Sequence, residues 1–259
     1  MTIEAPVRKH PDEIEMTPMS EAFFECWYAA VNHLDARVDG GIRAWLRCDP
    51  HPPFIEHLSF LLGNQLFFIR VEDVDGKVQG PGNQPAINYI AEKMNGHGCL
   101  LPMRKDWVKN TWMPEAPGWG LLSALTGDPV DPIALITDEQ IVMTDWEIHD
   151  VAVRVVRDHL EQQGLRVISS GNKPDTNPAI WFVNRAGQPE WVVVRSSRYP
   201  AERPTRPDNW SYFVEGLGDL SERGHFASVR VANAEQKFGE EPLPVWRAHQ
   251  LFVDFDGLE

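Results

Sequence analysis

The chain is poor in cysteine, in positive charge and in long apolar runs. Its three cysteines, Cys26, Cys48 and Cys99, show no metal-type spacing, and an odd number cannot be fully paired within one chain. A disulfide scaffold and a cysteine-bound zinc are thereby excluded, and reduced thiols in the cytoplasm are the expected state. No stretch approaches the roughly 18 uninterrupted apolar residues of a membrane span. The first 18 residues carry Glu4, Asp12, Glu13 and Glu15 and do not have the make-up of a signal peptide. Only 24 Lys and Arg stand against 38 Asp and Glu, a formal charge of −14. Nucleic acid is therefore an unlikely partner, because phosphate binding rests on clustered cations that release counterions. Phosphate loops and nucleophile elbows are missing too: the nearest glycine run, Gly80-Pro81-Gly82-Asn83, lacks the following Lys-Ser/Thr. Neither a metal nor a cofactor is expected on these grounds.

What is present is enough apolar mass to fold. Of 259 residues 42% are hydrophobic, with 12 Phe and 10 Trp, so burial can offset chain entropy. A helix is predicted over Ser20 to Val38, with Phe23, Phe24, Trp27, Ala30, Val31 and Leu34 on one face. Ile42 to Leu46, Phe54 to Phe60 and Leu66 to Val71 read as strands, Gln84 to Met94 as a helix, and Cys99 to Met103 and Trp119 to Leu125 as closing strands. The second half repeats this order. Thr144-Asp145-Trp146-Glu147 has the form of a capping box and opens a helix that stops at Gly164. Strands follow at Leu165 to Ile168, Ala179 to Val183 and Glu190 to Ser197, then a helix from Asp208 through Leu220, then strands at Phe226 to Val231 and Ala248 to Phe255. Val192-Val193-Val194 has no alternation, as expected of a strand buried on both faces.

A duplication leaves one nearly constant offset along a chain. Glu21 and Glu147 lie about 126 positions apart, Pro53 and Pro178 about 125, Arg70 and Arg195 about 125, and Gly96-His97 and Gly224-His225 about 128. The expected fold is α/β (α+β), two similar tandem three-layer halves that arose by internal duplication. The expected boundaries are an N-terminal extension at 1–19, a first half at 20–128 and a second at 129–259.

The helix, three strands, helix, strand order of Asp145 to Val231 resembles the restriction-endonuclease-like core of the PD-(D/E)XK nucleases. The resemblance implies an acid on the second strand and an acid-x-Lys on the third, holding a divalent metal that activates water. This sequence departs from that pattern. The second strand has no carboxylate, although Asp175 precedes it, and the third reads Val194-Arg195-Ser196-Ser197. The corresponding segment of the first half is Arg70-Val71-Glu72. A lost catalytic function follows from the resemblance. Its alternative is an atypical site in which Asp175 and Glu190 converge with Glu147 or Glu161 on Mg²⁺.

Four further groups stand out. Arg195, Arg198 and Arg70 are candidates for binding an anion, against the plainer role of neutralising internal carboxylates. Asp145 and His149, one helical turn apart, are a metal-type pair in an acid-rich first turn that the helix dipole by itself favours. His97 and His225 follow a glycine before a strand, where a ring bonded to backbone is the plain reading and a catalytic base the sharper one. Trp107, Trp112 and Trp119 lie near the proposed junction and suit either packing or an exposed aromatic interface. Acidity, aromatics and a missing metal motif together predict a non-catalytic binding protein, an inhibitor or immunity-type partner of a basic protein. The metal-dependent nuclease is the alternative.

Overall fold

The computed structural model describes residues 20–48, 57–80, 82–106, 108–174, 176–221 and 223–259. The proposed extension at 1–19, Pro53, Trp107 and Asp175 lie outside them. The described residues divide into two units; the first takes residues 20–144 together with Trp246–Ala248, the second Asp145–Val245 with His249–Glu259.

In the first unit α1 (Glu21–Asp35) leads into β1 (Ala44–Arg47), β2 (Leu58–Leu62) and β3 (Gln65–Asp73). After α2 (Gln84–Lys93) come β4 (His97–Asp106), β5 (Thr111–Pro114), β6 (Leu121–Ser123) and β7 (Pro129–Val130). Ser20 caps α1 by accepting the Phe23 N–H, and Asn83 caps α2 by accepting the Ala86 N–H. β1, β2 and β3 form an antiparallel meander, α2 crosses over, and β4 pairs in parallel with β3. β5 and β6 both pair with the outer edge of β4, and β7 pairs with β6. Phe67, Ile69 and Val71 join Trp27, Ala30 and Leu34 of α1 in one core. Ile87 and Ala91 of α2 pack closely over Gly98 of β4. Side chains alternate along each strand, so the sheet is sandwiched between two helices.

The second unit runs α3 (Asp145–Gln162), β8 (Arg166–Ser170), β9 (Ile180–Val183), β10 (Pro189–Arg198), α4 (Trp210–Leu217), β11 (Gly224–Asn233) and β12 (Leu251–Asp254). Its sheet has the order β12-β11-β10-β9-β8. The meander, the crossover helix and the parallel β10–β11 pair repeat the first unit's pattern. Val192, Val193 and Val194 are fully buried, as their unbroken apolar run requires. Trp191 and Val193 pack with Phe213 and Leu217 of α4 and with Phe226. Asn209 occupies the N-cap position of α4 without a side-chain bond, and the helix is shorter at both ends than the span from Asp208 through Leu220 expected of it.

The two parallel ladders share a register. Phe67 lies opposite His97 and Arg70 opposite Leu100; Val192 lies opposite His225 and Arg195 opposite Ser228. The offset of about 125 on β3 and β10 thus corresponds to equivalent ladder positions. On the preceding strands the ladders equate Phe60, opposite Phe67, with Ile180, opposite Val192, an offset of about 120. The shorter offset arises because the second hairpin carries five more residues between equivalent positions. The division expected at 128/129 falls at 144/145 because β7 is tied to β6 and because Asn64, in the β2–β3 turn, holds Thr137 and Glu139. No helix among the described residues is long and apolar enough to cross a membrane.

Candidate functional site

The positions at which the sequence resemblance would put a metal motif lie where the start of α3 meets the far end of β10. α3 buries Glu147, His149 and Asp150 beside Ile148, Val151 and Ala152. Such polar groups are tolerated there only with partners. Asp150 accepts from the Asn172 amide at 2.7 Å and from Arg154 Nε at 3.0 Å. His149 Nδ1 lies 3.3 Å from Ser196 Oγ. Arg195, where the acid-x-Lys motif would begin, donates to Asn177 Oδ1 at 2.7 Å and to its neighbour's carbonyl. Arg198 pairs with the fully exposed Asp145 at 3.2 Å, and Arg70 pairs with Glu72. The anion-binding candidates are thus engaged inside the chain: Arg195 is held by an amide oxygen, while Arg198 and Arg70 hold carboxylates. Asp145 and His149 turn to different partners.

The described members of the alternative catalytic set, Glu147, Glu161 and Glu190, do not converge. Glu147 sits in the first turn of α3, next to the Ser196–Arg198 end of β10, whereas Glu190 begins that strand and shares a cavity with His159 from the last turn of α3. Six residues of strand separate the two ends, about 20 Å. Glu161 is exposed and pairs with Arg157. Among the described residues no group of three or more His, Cys, Asp or Glu is placed to hold a metal ion.

Glu190 instead belongs to a second site. Its carboxylate accepts from the Asn184 amide at 2.7 Å and lies 2.7 Å from His225 Nε2, with Arg223 at 3.8 Å. Burial alone would raise the Glu190 carboxyl; bonds from Asn184 and His225, and the charges of His225 and Arg223, outweigh it and hold the group below its ordinary value. His225 leans on Phe182, with ring centroids 5.7 Å apart. The site opens into a cavity of about 600 Å³. His225 is therefore bonded to a side chain and not to backbone. The same holds in the first unit, where His97 Nε2 lies 2.9 Å from Gln65 Oε1 and the ring stacks on Phe67 at 5.0 Å. Burial, then the nearby Arg247 cation, holds His97 below its ordinary value. Gln65 and Glu190 occupy equivalent ladder positions, two residues before Phe67 and two before Val192. The sequence marks each histidine, but only the parallel register brings it to its partner more than 30 residues away.

Trp112 and Trp119 are not exposed anchors. Both are buried in the first unit's core, where Trp119 stacks near Phe60 at 6.5 Å and its carbonyl lies 3.0 Å from His33 Nε2. Lys105 covers the Trp112 ring at 5.6 Å. A different surface of this unit is both acidic and apolar. Leu125, Ile133, Ile136 and Val142 are exposed along residues 125–142, with Leu125 at 82%. Asp128, Asp131, Asp138 and Glu139 are exposed on the same segment, and among the described residues none has a cation within ion-pair distance. Asn64, 8% exposed, fixes this segment: its amide nitrogen donates to Thr137 Oγ1 and the Glu139 carbonyl, and its oxygen accepts the Thr137 N–H.

Residues 146–259 match the model of a family described as a domain of unknown function, DUF8840, a span that runs through the second unit from α3 to β12. No curated protein and no solved structure matches the chain.

Proposed function

We propose that this is a non-catalytic binding protein, an inhibitor or immunity-type partner that docks a basic protein on residues 125–142 of its first unit. The observation that carries the reading is the segment's composition: four exposed carboxylates without cations, interleaved with four exposed large apolar side chains. Acids at the rim of such a patch steer a cationic partner, and apolar side chains among them supply area to bury. The Asn64 bonds hold the segment in place, which reduces the ordering cost of association. Buried acids of α3 that are bonded within the chain favour binding over metal chemistry. Three cysteines that form no disulfide with one another fit a cytoplasmic setting.

We also read the two units as an internal duplication of one restriction-endonuclease-like core. Their common strand order and ladder register support this.

The test replaces Asp128, Asp131, Asp138 and Glu139 by Lys together. Wild-type chain immobilised at low salt should retain a cationic protein of its host and release it as salt rises. The fourfold variant should bind that protein about tenfold or more weakly. Equal retention by both, or Mg²⁺-dependent cleavage of DNA or RNA by the wild type, overturns the reading.

A further inference from the structure

We infer that the cavity at the start of β10 and β11 binds a small organic anion, a carboxylate or phosphate carried on a ring-sized apolar body. Its volume of about 600 Å³ is in the range of small-molecule sites. Phe182 and Leu165 supply apolar wall, and the polar groups are unevenly satisfied. The two carboxylates of the lining are already occupied. Glu190 holds Asn184 and His225, and Glu259 pairs with Arg206 at 3.7 Å. The two arginines are not comparably engaged. Among the described residues Arg185 donates only to the Gln163 carbonyl at 3.3 Å, and Arg223, 73% exposed, comes no nearer than 3.8 Å to Glu190. In a chain of charge −14, the unspent capacity of this cavity is cationic.

His225 adds a directed group. In the imidazolium form Nε2 donates to Glu190 and the Nδ1–H, which has no hydrogen-bond partner among the described residues, is left to donate to the anion. The first unit shows that the fold does not require these charges. Where the second unit has Glu190 and, two residues before the histidine, Arg223, the first has Gln65 and Asn95. Two charges of opposite sign flank one histidine and not its counterpart. Glu190 acts as the counter-ion that positions the ring, and Arg223 is the group that meets the anion.

The experiment is calorimetric titration of the full chain with benzoate, phenyl phosphate, inorganic phosphate and the cationic isostere benzamidine. Benzoate or phenyl phosphate should bind; benzamidine should not. Arg223→Asn, at an exposed position and with the residue of the first unit, should fold as the wild type does and bind the same probe about tenfold or more weakly. The fourfold Lys variant of residues 128–139 should keep the probe's affinity, which separates this site from the proposed docking segment. No binding by either organic acid, equal binding of benzamidine, inorganic phosphate binding as well as phenyl phosphate, or an unchanged affinity in Arg223→Asn each overturns the assignment.

Discussion

The two units thread the same order of helices and strands through the same ladder register, yet they place different chemistry beside the equivalent histidine. In the first unit His97 meets the neutral Gln65; in the second His225 meets the carboxylate of Glu190, with Arg223 nearby. The backbone path is indifferent to this exchange, because it is set by apolar strand faces that both units share. Phe67 and Ile69 bury in one unit as Val192 and Val194 do in the other. A carboxylate next to the histidine is then a property that one unit has and the other does without, on a common frame.

The sharpest break in the comparison is expected at the glycine before each histidine. A Cβ on Gly224 would run into the Trp191 ring, a rigid indole buried on all sides, so Gly224→Ala should destabilise the second unit by about 3 kcal/mol. A Cβ on Gly96 would come within 2.8 Å of the Leu66 carbonyl and 3.0 Å of the Phe68 ring. That substitution should cost the first unit less, because the overlap is smaller. Urea unfolding followed by hydrogen exchange in each sheet measures both, and equal midpoints for wild type and Gly224→Ala would contradict the packing of Trp191.

A smaller effect is expected from the partners themselves. Glu190→Ala leaves the Asn184 amide and the His225 ring without their acceptor and should cost about 2 kcal/mol; Gln65→Ala removes a neutral bond and should cost about 1 kcal/mol. Should the two variants lose equal stability, the ionic pair adds nothing beyond the neutral one.

The smallest effect is a difference in acid response. The His97 ring is held below 6.5, so as pH falls below 6.5 the unfolded chain binds a proton that the folded ring refuses, and the first unit loses stability until the folded value is passed. Glu190 is held below 4.5, so its contribution is complete above 4.5 and is lost only as pH falls through the lower folded value. Protection factors measured in each sheet from pH 7 to 4, relative to the intrinsic exchange rate at each pH, should fall first in the first unit. Gln65→Glu should leave the second unit's profile untouched, and Glu190→Gln should remove its loss below pH 4.5.

Much of this frame was legible in the sequence. Helix faces with a period of 3.6 and unbroken apolar strand runs marked α1 to α4 and the strands of both meanders. Two strands escaped because they carry too little pattern: β5 is four residues ending at Pro114, and β7 is only Pro129-Val130. The site was half legible. Glu190 and His225 each stood out, but 35 residues separate them, and only a parallel ladder brings such positions together. The tryptophans stayed open between packing and interface for a related reason: composition identifies large apolar groups, but whether Trp112 faces a core depends on β5, a strand too short to read.

The unequal hairpins also set an order in time. Gly63 and Asn64 alone join β2 to β3, whereas five residues, Asn184 to Gln188, join β9 to β10. Closing the longer connection costs about 0.8 kcal/mol more chain entropy. Both units must then close a span of some 30 residues before the parallel strand can dock, the slow step of this topology. The first unit's hairpin is therefore expected to zip earlier, giving a chain with two nuclei that start at different moments toward the same kind of sheet.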